Sequence, residues 1–354
     1  MLSTRCSVKP LMSGAMIAAY CFLSIPLHAQ APAPAKSPSA RQQQLRTAVD
    51  EAYAKFKSDT KGKNADYIPY LAKVDSNLFG ISVVTTDGQV YSVGDINYAF
   101  SIQSISKVFS LALAMQDVGA EPVLSKIGSE PTGRAFNSVL AVVDMPTHSG
   151  NPFVNAGAIA TVSLIPAKTA NEKWNKILAY YGDAAGGKLS LIDEVYESEA
   201  ATNQGNRALA ALLLKYERIY ADPLESVDVY TKQCSVGVNT AQLGMMGATL
   251  ANKGKNPVTG KQVIKPEYIP HILSTMMVAG LYDGSGTWAW NVGLPAKSGV
   301  GGGILAVIPG QGAISVFSPR LDEAGNSVKA QEVISYIAQK LDLNLYDSSP
   351  DLLK

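Results

Sequence analysis

The chain has 354 residues and carries 30 Lys and Arg side chains against 29 Asp and Glu, a formal net charge of +1. Because the positive and negative charges nearly balance, the chain has no basic field that would attract nucleic acid or an anionic membrane surface, and neither partner is expected. The length is ample to bury a hydrophobic core that needs no disulfide support.

Residues 1–29 have the pattern of a secretory signal peptide. A basic start precedes an uncharged apolar run over residues 11–27, and the residues that follow predict cleavage after Ala29. A single membrane anchor is the alternative, but the run contains Pro26 and is shorter than the roughly 20 residues of a spanning helix. We therefore predict an exported protein, periplasmic or secreted, with no membrane segment after processing.

Cys234 is the one cysteine beyond residue 29, so it cannot form an internal disulfide. No histidine lies close to it in sequence, which favours a buried spectator over a catalytic thiol. The sequence shows no cluster of metal-ligating residues, and the glycines of residues 299–303 lack the lysine of a phosphate-binding loop. We therefore expect neither a metal nor another cofactor.

Residues 30–41 begin with alternating Pro and Ala and are predicted to form a flexible linker. Apolar residues at helical spacing then predict a first helix over residues 42–56. The globular domain is expected to cover residues 42–345, with a short tail at 346–354.

Two hairpins are predicted, one near each end of the domain. Residues 78–84 and 90–93 are rich in β-formers and flank an Asp-Gly turn, and residues 304–308 and 313–317 flank a Pro-Gly pair. A final helix is predicted over about residues 327–341.

Between the hairpins, about residues 120–280 have a pattern that is almost entirely helical and is interrupted by Gly and Pro. Strands at both ends and helices between them predict one sheet that is assembled from both ends of the chain. The expected fold class is mixed α/β (α+β), with a mainly antiparallel sheet flanked by helices and a helical subdomain inserted into it.

The strongest chemical signal is Ser104-Ile105-Ser106-Lys107, at the start of a helix predicted from Ser104 to Met115. The spacing places Ser104 and Lys107 on one face, one turn apart. A neutral lysine there can take the hydroxyl proton, and the helix N-terminus favours developing negative charge. The same spacing also occurs by chance, with the serine as a helix cap and the lysine in solvent.

A second motif, Lys297-Ser298-Gly299, precedes an apolar strand. Serine β-lactamases and penicillin-binding proteins combine an early Ser-x-x-Lys with a late Lys-Thr/Ser-Gly. The late motif is there an edge strand that lines the pocket, and one of its N–H groups shares an oxyanion hole with the N–H of the nucleophile. The chain resembles this group, which implies a β-lactamase/transpeptidase-like fold.

The surrounding sequence resembles the serine-dependent glutaminase family more closely than the β-lactamases. The matching blocks, which cover about residues 60–320, are Asp66-Tyr67-Ile68-Pro69, residues 100–107 and 151–159, Tyr196-Glu197-Ser198-Glu199, Asn206-Arg207-Ala208, residues 230–235, Tyr282-Asp283 and residues 293–300. The resemblance implies hydrolysis of the side-chain amide of L-glutamine to L-glutamate and ammonia. It also implies a homo-oligomer, either a tetramer or a dimer.

The resemblance further implies a role for individual residues. Ser104 would be the nucleophile that forms a glutamyl ester, Lys107 its base, and Tyr282 the proton shuttle to the leaving amine and from the attacking water. The N–H groups of Ser104 and Val300 would hold the oxyanion. The other substrate-binding residues would be Tyr67, Gln103, Asn155, Glu199, Asn206 and Tyr230.

One stretch departs from the family pattern. Many members carry more charge just before the asparagine that matches Asn206, where this chain has Asn203-Gln204-Gly205. The spacing from Glu199 to Asn206 is kept, so both residues remain candidates. An altered helix start and an altered substrate affinity are the expected consequences.

Two other functions remain open from the sequence. A β-lactamase or D-Ala-D-Ala peptidase of the same fold would suit an exported protein, although no Ser-Asp-Asn occurs in the middle of the chain. A non-catalytic glutamine-binding protein would bind glutamine without releasing ammonia, but it would have no use for the pair formed by Ser104 and Lys107.

Overall fold

Five antiparallel strands form the main sheet of the computed structural model, which describes Ser7 and residues 39–347. Eight strands occur in the described part of the chain, and five of them belong to this sheet. The eight are β1 (Gly80–Thr85), β2 (Val90–Gly94), β3 (Phe100–Ser101), β4 (Ser190–Leu191), β5 (Val236–Val238), β6 (Ala296–Gly299), β7 (Gly303–Ile308) and β8 (Gly312–Phe317). Their order across the main sheet is β2-β1-β8-β7-β6. β1 pairs with β8, so strands from both ends of the chain lie side by side and both predicted hairpins are confirmed.

Helices cover the sheet and fill the middle of the chain. They are α1 (Ala40–Phe56), α2 (Pro69–Ala72), α3 (Ser106–Val118), α4 (Ala120–Ile127), α5 (Val139–Asp144), α6 (Asn155–Leu164), α7 (Ala170–Ala185), α8 (Asp193–Thr202), α9 (Gln204–Lys215), α10 (Pro223–Cys234), α11 (Thr240–Ala251), α12 (Ile269–Ala279), α13 (Ser285–Asn291) and α14 (Val328–Lys340). None of the helices in the described part of the chain combines the length and hydropathy needed to cross a bilayer.

The main sheet is buried on both faces, as β7 illustrates. Ile304 and Ala306 belong to a core that also contains residues of α1 and α14, whereas Leu305 and Val307 belong to a second core that contains residues of α3 and α11. Successive side chains of a strand point to opposite faces. The uninterrupted apolar run of β7 therefore follows from its coverage on both sides.

The N-terminal helix begins two residues inside the predicted linker. Ser39 Oγ accepts from the Gln42 backbone N–H at 3.2 Å, and Gln42 Oε1 accepts from the Ser39 N–H at 2.7 Å. This capping box fixes the start of α1 at Ala40. The predicted signal peptide apart from Ser7, most of the predicted linker and most of the predicted tail lie outside the described residues.

The prediction for the middle of the chain was incomplete, because β4 and β5 lie within the predicted helical block. Together with β3 they form a second sheet in the order β3-β5-β4. Strands of two or three residues carry too little alternation to be recognised from sequence.

Helix α3 is the central helix of the larger core. The prediction placed its start at Ser104, but Gln103–Ile105 forms a 3-10 turn and the α-helix begins at Ser106. All of Ser106–Met115 is buried, and the helix continues past the predicted end at Met115 to Val118, after which Gly119 has a φ of 92°. Any polar side chain on this buried part of α3 is therefore held out of water, and Lys107 is one of them.

Candidate active site

Ser104 lies in the 3-10 turn Gln103–Ile105 that leads into α3, and its side chain is buried. Gln103 has a φ of 48°, in the left-handed region that costs a non-glycine residue about 1 kcal/mol or more. Its side-chain amide donates to Ser101 Oγ at 3.3 Å and to Glu199 Oε2 at 3.2 Å. These contacts hold the turn in a conformation that it would not favour alone.

Lys107 lies one helical turn after Ser104 and is almost completely buried. Its Nζ donates to Asn155 Oδ1 at 2.7 Å and to the Phe153 carbonyl oxygen at 3.2 Å. Burial lowers the pKa of Lys107 to about 8. A neutral amine has two N–H groups and one lone pair. The two acceptors match these two N–H groups, so the lone pair of the neutral amine is left to accept a proton.

The side-chain amide of Asn155, the first residue of α6, joins three other predicted residues. Its Oδ1 accepts from Lys107 and, at 3.1 Å, from the Tyr230 hydroxyl, while its Nδ2 donates to Asn206 Oδ1 at 3.0 Å. Two donors at one end of the amide and an acceptor at the other define its orientation. Helices α3, α6, α9 and α10 thus each contribute a side chain to one site.

Glu199, on α8, is a buried carboxylate that accepts a hydrogen bond from Gln103. Burial raises its pKa to about 7, although the Gln103 bond and the charge of Lys107 act in the opposite direction. Within residues 39–347, no lysine or arginine lies within ion-pair distance of it. A buried acid without such a partner is suited to bind the cationic group of a ligand.

Tyr67 lies at the rim of the same site and keeps about half of its surface exposed (53%). Partial burial of its hydroxyl, and then the charge of Glu199, raise its pKa. The structure therefore places Tyr67 near the carboxylate but at the solvent side.

Tyr282 is buried and is held with a φ of 53°, the second strained residue of the site. Its hydroxyl donates to the Ser298 carbonyl oxygen at 3.2 Å, and the Ser104 side chain lies close enough to act on its pKa, which it lowers. The Phe136 ring packs against it with 4.6 Å between the ring centroids. Burial raises the pKa of Tyr282, so the phenol remains protonated and can donate a proton.

Strand β6 is the outer strand of the main sheet and packs against the turn that carries Ser104, which confirms the predicted edge strand. A Cβ atom on Gly299 would lie 2.8 Å from the Ile102 carbonyl oxygen, so glycine permits this close approach. Val300 follows directly. Among the described residues, neither its N–H nor that of Ser104 has a backbone acceptor. Two such N–H groups on adjacent segments fit an oxyanion hole.

The uncharged stretch before Asn206 lies at the junction of α8 and α9. Asn203 is the single residue between these helices. Its Oδ1 accepts from Arg207 Nε at 2.9 Å, and its Nδ2 donates to Thr231 Oγ1 at 3.3 Å. Asn203 itself therefore ties the junction to neighbouring side chains, and the bond between Asn155 and Asn206 is kept.

A cavity of about 210 Å³ reaches Tyr282 from the segments that flank α5. Its lining includes Phe136, Phe153 and Val154. Two larger grooves elsewhere on the described surface contain none of the predicted site residues.

Three further residues at the site had no predicted role. The Phe153 backbone carbonyl accepts a hydrogen bond from Lys107, and the Phe136 ring packs against Tyr282. Neither contact can be predicted from the fact that the residue is a phenylalanine. Lys297 was predicted only as part of a motif that supplies backbone groups, yet its side chain is fully buried beside Tyr282.

The remaining candidates for chemistry are a thiol and a metal site. Burial raises the pKa of the Cys234 thiol to about 12, which fits the predicted spectator. In the described part of the chain, no three His, Cys, Asp or Glu side chains come close enough together to hold a metal ion.

Known proteins are similar to this chain in both sequence and architecture. The family model described as Glutaminase matches residues 62–346. The glutaminase of Colwellia psychrerythraea is 53% identical over 312 residues, which cover 88% of this chain and 100% of the relative. Glutaminase 1 of Escherichia coli O157:H7 is 52% identical over 305 residues, 85% of this chain and 97% of the relative.

Two solved structures give the same result. The probable glutaminase ybaS superposes with a TM-score of 0.86 at 50% identity, covering 88% of this chain and 100% of the other. The probable glutaminase from Bacillus subtilis complexed with 6-diazo-5-oxo-L-norleucine has a TM-score of 0.77 at 33% identity, covering 88% and 98%. The predicted fold class is therefore confirmed, and the chain belongs to the glutaminase family.

Proposed function

We propose that this protein hydrolyses L-glutamine to L-glutamate and ammonia through a glutamyl ester on Ser104. The observation that carries the proposal is the adjacent pair of Ser104 and a buried Lys107, whose pKa of about 8 leaves much of the amine neutral at mildly alkaline pH. Membership of the glutaminase family supports the reaction.

In the first half of the reaction, Ser104 Oγ attacks the side-chain carbonyl carbon of glutamine while Lys107 Nζ takes the hydroxyl proton. The N–H groups of Ser104 and Val300 stabilise the negative charge on the carbonyl oxygen. The C–N bond then breaks, and Tyr282 gives its proton to the nitrogen, which leaves as ammonia.

In the second half, water attacks the ester carbonyl and gives a proton to Tyr282. The bond to Ser104 Oγ breaks, and Lys107 returns its proton to that oxygen. Glutamate leaves, and all three side chains regain their starting protonation.

The substrate is bound through its two fixed charges. Glu199, held by Gln103, pairs with the α-ammonium group. Donors for the α-carboxylate come from Tyr67, Asn155, Asn206 and Tyr230, of which the Tyr230 hydroxyl exchanges its bond to Asn155 Oδ1 for one to the substrate. A site that makes specific polar contacts discriminates more strongly than an apolar pocket. The Bacillus subtilis structure is a complex with 6-diazo-5-oxo-L-norleucine, itself an amino acid, which supports this class of substrate.

The test is ammonia release from L-glutamine by the purified protein. Release supports the proposal, whereas binding of glutamine without release would support a binding protein. Rapid turnover of nitrocefin or penicillin without glutaminase activity would instead support a β-lactamase or peptidase of this fold.

The rate is expected to rise with pH. Lys107 must be neutral to act as the base and Glu199 must be ionised to bind the ammonium, so both groups must have lost a proton, with pKa values of about 8 and about 7. We expect kcat/KM to increase about tenfold per pH unit between pH 7 and 8 and to level off above that range. A profile of kcat/KM that is flat from acid to alkaline pH would contradict the role of Lys107.

We further propose that residues 1–29 direct export and that the protein assembles as a homo-oligomer, a tetramer or a dimer. The uncharged apolar run supports the first proposal, and likeness to the family supports the second. Cell fractionation with and without residues 1–29, and light scattering of the purified protein, are the tests. Retention of the full chain in the cytosol, or a monomer in solution, would overturn the respective proposal.

A further inference from the structure

Strand β6 lies at a sheet edge, yet the backbone groups of Ser298 that face away from β7 are fully used. The Ser298 N–H donates to the Gly280 carbonyl oxygen at 3.0 Å. The Ser298 carbonyl oxygen accepts from the Tyr282 hydroxyl at 3.2 Å and from Lys297 Nζ at 2.7 Å. Edge strands usually leave such groups to solvent or to another strand. Here they bind the segment that carries Tyr282.

The side chain of Lys297 reaches the same place. It is fully buried, its Nζ donates to Gly280 O at 3.0 Å and to Ser298 O at 2.7 Å, and it lies 4.2 Å from the centroid of the Tyr282 ring. Burial lowers the pKa of Lys297 well below its ordinary value. The two N–H groups of a neutral amine match the two carbonyl oxygens. Lys297 therefore acts as a neutral hydrogen-bond donor.

Both carbonyl oxygens bear on the position of Tyr282. Gly280 precedes it by two residues, and a Cβ atom on Gly280 would lie 1.7 Å from Ala296 O, so this segment is pressed against β6. Ser298 O receives the Tyr282 hydroxyl. Tyr282 has a strained backbone, so the packing of the Gly280 segment before it and the bond from its hydroxyl to Ser298 O are both needed to hold it in position.

We propose that Lys297 is a positioning residue for Tyr282, which it keeps beside Ser104 by bridging the Gly280 and Ser298 carbonyls. Its donation to Ser298 O also weakens that oxygen as an acceptor for the tyrosine hydroxyl, so the phenol proton stays available to the leaving nitrogen. The inference rests on the proposed function, in which Tyr282 supplies that proton. The inference predicts that attack by Ser104, which Lys107 assists, is unchanged when the Lys297 side chain is removed.

The test compares Lys297→Met with Lys173→Met. Lys173 is a second buried lysine whose Nζ donates to two backbone carbonyls, Val162 O at 3.1 Å and Ser163 O at 3.3 Å. These lie near the C-terminal end of α6, about 11 Å along the helix from its start at Asn155. Both changes remove a buried amine, but only one of them removes it beside Tyr282.

For L-glutamine we expect Lys297→Met to lower kcat roughly 30-fold with KM within about twofold of wild type, because proton donation to the leaving group is impaired. Lys173→Met is expected to keep the wild-type kcat. The γ-nitrophenyl ester of glutamate has a leaving group that needs no proton. The initial burst of nitrophenol should therefore keep its wild-type rate in Lys297→Met.

Labelling of Ser104 by 6-diazo-5-oxo-L-norleucine, followed by mass spectrometry, counts the competent sites. Each rate is divided by this count, so it refers to folded enzyme even if a variant gives less folded protein. Lys297→Gln, which keeps two N–H donors, should recover part of kcat. Equal loss for the amide and for the ester burst, loss of labelling, or an unchanged kcat in Lys297→Met would overturn the inference. Absence of ammonia release by the wild type would instead overturn the proposed function.

Discussion

Ser104→Ala is expected to lower kcat/KM for L-glutamine by roughly 10⁴-fold or more, the scale of loss when a serine nucleophile is removed. The reason is that no ester can form, while the oxyanion donors and the binding groups remain. The fold should survive, because the change removes one oxygen from a side chain whose turn is held by Gln103 and Glu199. Ammonia release over a range of glutamine concentrations is the measurement, and a kcat/KM close to wild type would exclude the mechanism.

Ser110→Ala is the matched control for this change. Ser110 is another buried serine of α3, and its hydroxyl bonds with the hydroxyl of Tyr181 at 2.6 Å and with Gln233 Oε1. Its loss should lower the melting temperature, because buried polar partners lose a hydrogen bond. Activity per folded molecule should stay near wild type. If both variants lost activity equally, disruption of α3 would explain the result better than loss of a nucleophile.

Glu199→Gln is expected to lower kcat/KM by roughly 10³-fold, mainly through KM, because a buried partner for the substrate ammonium is lost. The neutral amide keeps an oxygen that can accept the hydrogen bond from Gln103, so the site should keep its shape. Steady-state kinetics measure the effect. Glu197→Gln, which changes an exposed residue of the same helix, should leave both constants unchanged. Normal glutamine affinity in Glu199→Gln would show that the ammonium binds elsewhere.

The same substitution should stabilise the folded protein at alkaline pH. The pKa of Glu199 rises from an ordinary value of 4.5 to about 7 on folding, so ionisation opposes folding. The penalty is absent below pH 4.5, grows through the interval and is complete above pH 7, where it amounts to about 3 kcal/mol at most. Chemical denaturation of Glu199→Gln and wild type should therefore show a gain at pH 8 that disappears near pH 4.5. An equal stability at both pH values would contradict this reasoning.

Sequence predicted those features that depend on short-range pattern. The hairpins carry turn residues between β-forming runs, and Ser104 and Lys107 are one helical turn apart, so both follow from neighbouring residues. The family blocks predicted that distant residues such as Glu199 and Tyr282 belong to one site. Their geometry was not contained in the pattern.

The missing parts are contacts between distant segments. Nothing in the residue types indicates that the Asn155 amide binds Lys107, Tyr230 and Asn206 at once, because four helices must first pack together. For a related reason, the burial of the Lys297 side chain was not predicted. A lysine in an edge strand is ordinarily solvated, and its burial follows from the packing of the Gly280 segment onto β6.

The pairing of β1 with β8 bears on when the enzyme can become active during its synthesis. The sheet joins strands separated by the whole helical part of the chain, so it closes only after the last strands have left the ribosome. Ser104 and Lys107 are made long before Val300 and before the Ser298 carbonyl that binds Tyr282. A nascent chain that ends before Val300 therefore has Ser104 without the second N–H group of the proposed oxyanion hole, and we expect it to be inactive toward glutamine.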